Sequence, residues 1–125
     1  MKTKSLLPTT SLAECSTIEI LEELQSRGGH PGALAEAALL CIRKSQDYNH
    51  SADDVNVHEI DRSVYFPFGI LSYAQMLHTK SQRFVTLASK ELYGQDTNFE
   101  SARDTALDII NYAGFYAAAY PGDES

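Results

Sequence analysis

The sequence lacks the features that mark membrane and secreted proteins. Within its 125 residues, no apolar run approaches the roughly 20 residues that a membrane-spanning helix requires. The basic start of the chain is followed by only two leucines before Pro8, so the apolar core of a signal peptide is missing. The sequence therefore predicts a protein of the cytoplasm that makes no contact with a membrane.

Cysteines and basic residues are scarce. Cys15 and Cys41 lie on separate amphipathic segments, and in a reducing compartment we expect them to be small buried hydrophobic side chains. Ten Lys and Arg residues against 17 Asp and Glu give a net charge of -7. This balance argues against binding to a DNA or RNA backbone, which requires clustered basic residues. A single nucleotide is still permitted, because a small anionic ligand needs only a local group of basic side chains.

The motifs of common catalytic sites are also missing. The chain has no Gly-x-Ser-x-Gly, no glycine-rich phosphate loop and no paired-cysteine motif. Residues 49–68 do contain side chains of the types that bind transition metals, but their spacings fit no compact metal motif. These side chains are His50, Asp53, Asp54, His58 and Asp61. We therefore expect no cofactor, and the sequence identifies no catalytic residue.

The apolar periodicity predicts an all-α fold, a bundle of four main helices with a long loop between the second and the third. The first helix begins after Ser16 or Thr17 and ends at Gly28, and Pro31 suits the first turn of the second. The third runs from about residue 70 to about residue 91, and the fourth runs from Ser101, or Asn98 before it, to Tyr120. We expect one domain over residues 13–120, a mobile segment at 1–12 and a tail at 121–125.

Two helices are expected to bury a recognisable face. On the second helix this face consists of mostly small residues, which allow another helix to pack closely. On the fourth, aromatic residues lie beside small ones and suit the core, which is the default, or a second subunit. We also expect a homo-oligomer. The face of the second helix consists of Leu34, Ala37, Ala38, Cys41, Ser45 and Tyr48. The aromatic residues of the fourth helix are Tyr112, Phe115, Tyr116 and Tyr120.

An acidic stripe is the most informative feature of the chain. Glu100, Asp104, Asp108 and Asn111 follow one another at helical spacing, which places them on one face of a helix. Carboxylates in such a row repel one another unless solvent, a cation or basic side chains lie opposite. Lys80 and Arg83, three residues apart on the third helix, are suitable partners. We expect both to lie within salt-bridge or single-water reach of Asp104, Asp108 or Asn111.

Three interpretations of this stripe are open. In the first, Lys80 and Arg83 neutralise the carboxylates and hold the helices together. In the second, carboxylates one turn apart hold Mg²⁺, with Glu100, Asp104 and Asp108 as its ligands. In the third, the basic pair binds the phosphate of a ligand, while Asp108 and Asn111 position the basic side chains or bind a sugar or base.

Three segments of the chain together resemble the nucleotide modification associated domain family, first type, which is found mainly in bacteriophages. They are Arg43-Lys44-Ser-Gln-Asp47-Tyr48, Met76-Leu-His-Thr-Lys80-Ser-Gln-Arg83, and the run from Asn98 to Ala113 that carries the acidic stripe. The resemblance covers about residues 43–120. It implies an α-helical phage protein, in the cytoplasm of the host cell, that is linked to nucleotides. Its site candidates are Asp47, Tyr48, Lys80, Arg83, Glu100, Asp104, Asp108 and Asn111.

The carboxylate pattern is also similar to that of the MazG-type all-α nucleotide pyrophosphohydrolases, which hold Mg²⁺ with two acidic helix motifs. The chain departs from both motifs. Residues 19–23 only approximate the first motif, and Glu100 and Asp104 are four residues apart where the second motif has three. The departures count against catalysis and leave nucleotide binding possible.

The leading hypothesis is a phage-type, oligomeric protein that binds a nucleotide or a nucleotide-derived molecule, as a metabolic accessory or as a sponge that sequesters a defence signal. Its ligand-binding residues would be Asp47, Tyr48, Lys80, Arg83, Asp108 and Asn111. The enzymatic alternative is Mg²⁺-dependent hydrolysis of a nucleoside triphosphate. The third alternative is a structural or interaction protein.

Overall fold

The computed structural model describes residues 11–48, 66–97 and 99–122, with the side chains of residues 46–48 left out. In these ranges the chain forms α-helices and a short 3₁₀ helix at Leu12–Glu14, with no strand. The four α-helices are α1 (Thr17–Arg27), α2 (Gly29–Tyr48), α3 (Ile70–Leu92) and α4 (Ala102–Ala119). The prediction of an all-α fold with four main helices is confirmed. Most of the predicted loop, with its five metal-type side chains, and residues 1–10 lie outside the described ranges.

The chain divides into two compact units, Met1–Ile60 and Asp61–Ser125. The first contains α1 packed on α2, and the second contains α3 packed on α4. The single domain expected over residues 13–120 stays a prediction.

In the first unit, α1 begins and ends where the sequence predicts. Ser16 is the N-cap: its hydroxyl accepts a hydrogen bond from the Glu19 N–H at 3.1 Å, and its own N–H donates to the Glu19 carboxylate at 2.9 Å. This reciprocal capping box satisfies two amides that a helix start leaves unpaired. Gly28 ends the helix with a φ of 74°, a conformation that favours glycine.

The two helices of this unit cross closely at Gly32. A Cβ atom at that position would lie 3.2 Å from the Leu24 carbonyl oxygen and 3.3 Å from that of Gln25, so a larger residue would push α2 away from α1. Ala35, Leu39 and Ile42 follow one another at helical spacing and form one buried side of α2, whereas Ala37 is buried on the opposite side of the helix. The face predicted for α2 is therefore only partly correct.

The error in that face concerns Leu34, which is exposed, whereas Ala37 is buried as expected. Ala38, Cys41 and Ser45 are half-buried. Leu39 and Ile42 supply more apolar surface to the contact than the small-residue row does, and the helix is rotated to bury them. Both cysteines are free thiols and half-buried, so their predicted full burial is not observed.

In the second unit, a turn at residues 66–69 leads into α3. The Gly69 N–H donates to the Phe66 carbonyl at 3.2 Å, and the Phe68 N–H donates to the Ser72 hydroxyl at 2.9 Å. Gly69 has a φ of 59°, which a residue with a Cβ rarely adopts. The turn fixes the start of α3 at Ile70, where the sequence predicts it.

The core of the second unit is aromatic. The Phe66 ring stacks on the Tyr73 ring with a centroid separation of 4.0 Å and an interplanar angle of 13°. Four rings of α4 surround this pair with centroids about 6 Å away, mostly edge-on, a favourable arrangement for aromatic rings. They are Tyr112, Phe115, Tyr116 and Tyr120. Tyr112 and Phe115 are half-buried in this cluster, as the sequence favours, whereas Tyr116 and Tyr120 are 39% and 41% exposed at its edge.

None of the helices in the described ranges is long and apolar enough to cross a membrane.

Candidate functional site

The acidic stripe is shorter than the sequence predicts. Ser101 is the N-cap of α4, so Glu100 precedes the helix and does not continue its face. The reason is a second capping box, in which the Ser101 hydroxyl accepts from the Asp104 N–H at 3.0 Å and the Asp104 carboxylate accepts from the Ser101 N–H at 3.0 Å. Asp104 is thereby directed back toward the start of the helix. The expectation of four groups stacked on one helical face is wrong for Glu100.

Lys80 and Asp108 form the ion pair that links α3 to α4. The Lys80 Nζ lies 3.0 Å from the Asp108 Oδ2, which confirms the expected contact. The two side chains are only 16% and 18% exposed, so water screens their attraction less than that of a surface pair. The same Nζ lies 6.0 Å from the centre of the Tyr112 ring, the outer limit of a cation–π contact.

Arg83 contacts a partner other than those named for it. Its Nη1 lies 3.0 Å from the Glu100 Oε2, while the other carboxylate oxygen of Glu100 accepts a 2.7 Å hydrogen bond from the Thr105 hydroxyl. Thr105 is completely buried, whereas Arg83 is 53% exposed. The result is a chain of contacts from solvent to the interior. It fixes the carboxylate of Glu100 and leaves the guanidinium of Arg83 within reach of a ligand.

The start of α4 is held by a third contact. The Ala102 N–H donates to the Glu91 carboxylate at 3.1 Å, which ties the last turn of α3 to the first turn of α4. The N–H groups of Ser101, Ala102 and Asp104 therefore already have side-chain acceptors at this helix start. An anionic ligand would therefore be bound by side chains such as Arg83 and Lys80 and not by the amides of this helix start.

The three carboxylates proposed as Mg²⁺ ligands each have another contact. Glu100 contacts Arg83 and Thr105, Asp104 contacts Ser101, and Asp108 contacts Lys80. Among residues 11–48, 66–97 and 99–122, no group of three or more His, Cys, Asp and Glu side chains is arranged to hold a metal ion. Binding of Mg²⁺ at this position would require these contacts to be rearranged.

The remaining predicted ligand-binding residues lie in different parts of the chain. Asn111 is half-buried on α4, three residues after Asp108 and so on the same face. Asp47 and Tyr48 are the last residues of α2 in the first unit, and their side chains lie outside the described part of the structure. The predicted site residues whose side chains the structure describes lie on α3, on α4 and immediately before α4.

Sequence reasoning missed three polar side chains that the structure buries, Glu23, Ser72 and Thr105. Glu23 on α1 is 3% exposed, and its carboxylate lies 3.2 Å from the Arg27 guanidinium. The four-residue spacing of Glu23 and Arg27 is a signal that could have found this pair. Thr105 carries no such local signal, because its burial depends on the packing of α3 against α4.

Comparisons with protein-family models, curated proteins and solved structures find no match to this chain. The two family resemblances stay predictions.

Proposed function

We propose that the α3–α4 unit binds a nucleotide or a nucleotide-derived small molecule and releases it chemically unchanged. The observation that supports this proposal best is the position of Lys80, between the carboxylate of Asp108 and the ring of Tyr112. A cation held in place beside an aromatic ring offers both charge for a phosphate and a surface for a base.

Arg83 complements Lys80. It lies three residues further along α3, and its guanidinium is half exposed while Glu100 holds it from one side. Guanidinium groups present several donors in one plane and bind phosphate through two hydrogen bonds. Asp108 and Glu100 keep the two cations in position before a ligand arrives, which lowers the entropy lost on binding.

Binding without turnover fits the carboxylates better than hydrolysis does. A Mg²⁺-dependent hydrolase needs acidic ligands that converge on the metal, together with a base for the attacking water. Here Asp104 serves the capping box, and Glu100 and Asp108 neutralise basic side chains. The basic groups can therefore hold the ligand without metal.

The biological use that we propose rests on the resemblance to phage proteins. An oligomeric binder of this size would act as an accessory to nucleotide metabolism or as a sponge for a nucleotide-type defence signal in the host cytoplasm. Both uses require tight, reversible binding and no catalytic step.

The first experiment is mass spectrometry of small molecules released from the purified protein. It is combined with thermal-shift measurements of nucleoside mono- and triphosphates, with Mg²⁺ and with EDTA. We expect a nucleotide that raises the melting temperature equally in both conditions. Arg83→Gln should abolish this rise with little effect on the fold. Arg43→Gln, an exposed change on α2, is the matched control and should retain it.

Asp108→Asn separates ligand binding from a purely structural role of the ion pair. Both roles predict a loss of stability, since Lys80 loses its charged partner. Only a ligand role predicts that affinity falls at a temperature where the variant is still folded. Unchanged affinity in Arg83→Gln and Asp108→Asn would assign the ion pairs to stability alone.

Turnover is tested separately with common nucleoside triphosphates and Mg²⁺. We expect no release of pyrophosphate or monophosphate. Release proportional to the amount of wild-type protein, and absent in Asp104→Asn, would replace the binding proposal with the hydrolase alternative.

A further inference from the structure

Tyr73 carries a polar group that the fold of the second unit does not use. Its side chain is 2% exposed, and its hydroxyl is buried without a hydrogen-bond partner among the residues that the structure describes. A buried hydroxyl without a partner loses its hydrogen bonds to water and gains nothing in return. Phenylalanine would fill the same space without this cost, so the hydroxyl needs an explanation.

The ring that covers Tyr73 comes from outside the helix pair. Phe66 precedes α3 and lies flat on the Tyr73 ring at 4.0 Å, with the edges of Tyr112 and Phe115 beside it. A flat ring held between aromatic side chains is the arrangement in which proteins bind nucleobases. Phe66 has no polar atom in its ring and cannot satisfy the Tyr73 hydroxyl.

The position of Phe66 is adjacent to the proposed phosphate-binding side chains. Tyr112 contacts Phe66 with one edge, and Lys80 lies over the Tyr112 ring. Lys80 is also seven residues after Tyr73 on α3, two helical turns or about 10.5 Å along the axis. A ligand with a flat ring at one end and an anionic group at the other would therefore span from Phe66 to Lys80.

Gly69, at a φ of 59°, lies between Phe66 and α3. Two hydrogen bonds hold the turn, one from the Gly69 N–H to the Phe66 carbonyl and one from the Phe68 N–H to the Ser72 hydroxyl on α3. Rotation at Gly69 would move the turn and break the bond to Ser72, while leaving the backbone hydrogen bonds of α3 intact. The Phe66 ring could leave the aromatic cluster in this way without unfolding the helix pair.

We propose that Phe66 occupies the place of a ligand base: a nucleoside monophosphate stacks its base on Tyr73 in place of Phe66, the Tyr73 hydroxyl hydrogen-bonds to a hydroxyl of the sugar, and Lys80 contacts the phosphate. This inference rests on the proposed function and adds the recognition of the base. It makes Phe66 an internal competitor of the ligand.

The test uses isothermal titration calorimetry of the full chain with AMP, CMP, GMP and UMP, with adenosine for the ring alone and inorganic phosphate for the anion alone. Tyr73→Phe removes only the unpartnered hydroxyl. Tyr93→Phe, which removes an exposed hydroxyl just after α3, is the matched control. Phe66→Leu removes the competing ring while keeping an apolar side chain.

We expect wild type to bind at least one nucleoside monophosphate more tightly than phosphate. Tyr73→Phe should melt at the same or a higher temperature and bind about tenfold more weakly, as loss of one hydrogen bond predicts. Tyr93→Phe should match wild type. Phe66→Leu should bind more tightly than wild type.

The outcomes distinguish this inference from the proposed function. Equal affinity of Tyr73→Phe and wild type would overturn the role of the hydroxyl while leaving nucleotide binding in place. Weaker binding by Phe66→Leu would show that Phe66 belongs to the site and does not compete with the ligand. Absence of binding by wild type to every probe would overturn both proposals.

Discussion

Thr105→Val tests whether the buried hydroxyl of Thr105 holds the start of α4 in place. The substitution keeps the β-branched shape and removes the donor of the 2.7 Å hydrogen bond to Glu100. Thr105 is completely buried, so a valine fits the same space and the change isolates the hydrogen bond. The variant should be less stable because the Glu100 carboxylate loses a donor that water cannot fully replace.

The magnitude follows from the charge and burial of the acceptor. A hydrogen bond to a charged group contributes about 1.5–3 kcal/mol. Glu100 is 26% exposed and keeps its contact with Arg83, so partial hydration reduces the loss to about 1–2 kcal/mol. With an m-value of about 2 kcal/mol/M, the urea midpoint should fall by about 0.5–1 M.

Thr86→Val is the matched control in urea unfolding followed by far-ultraviolet circular dichroism. Thr86 lies exposed on α3, and its hydroxyl donates only to the Gln82 carbonyl within the same helix, at 3.2 Å. Its replacement should change stability by less than about 0.5 kcal/mol. If Thr105→Val and Thr86→Val unfold at the same urea concentration, the hydrogen bond from Thr105 to Glu100 does not stabilise the fold and the reasoning fails.

Three further predictions concern single positions. Gly69→Ala should destabilise the protein by about 1–2 kcal/mol because Gly69 has a positive φ. Gly114→Ala should stabilise it by about 0.5–1 kcal/mol, because Gly114 lies within α4 with open space around it. Thermal unfolding of both variants checks that the two changes have opposite signs. Ser16→Ala removes the cap of α1 and should cost about 1 kcal/mol in urea unfolding, and no loss would mean that the capping box is dispensable. Burial raises the pKa of the Cys41 thiol above its value in the unfolded chain. The stability that the raised pKa contributes is fully present below the pKa of the unfolded thiol, about 8.5, and is lost as the pH rises from there toward the pKa of the folded thiol. The urea midpoint should therefore fall above about pH 8.5, and it should fall more in wild type than in Cys41→Ala.

The helix boundaries could be predicted because they depend on neighbouring residues. Ser16 and Ser101 each stand three residues before an acidic residue, and this local pattern determines where α1 and α4 begin. Gly28 ends α1 for an equally local reason. The same local rule shows why Glu100 does not belong to the acidic face of α4, because a helix capped by Ser101 cannot include Glu100.

The contacts between helices could be predicted only in part. The Lys80–Asp108 pair follows from charge complementarity along two helical faces, and it is present. The contact of Arg83 with Glu100 depends on the path of the chain between α3 and α4, which helical periodicity does not specify. The burial of Tyr73 depends on Phe66, whose position is set by the turn before α3. No pattern within α3 reports such a contact.

The packing of α1 on α2 and of α3 on α4 has a consequence for the synthesis of the chain. Only Gly28 separates α1 from α2, and residues 93–101 separate α3 from α4. Closing such short connections costs little chain entropy, and folds built from sequence-local contacts form rapidly. Contacts between α1 and α2 can therefore begin to form on the ribosome before α3 and α4 have been synthesised.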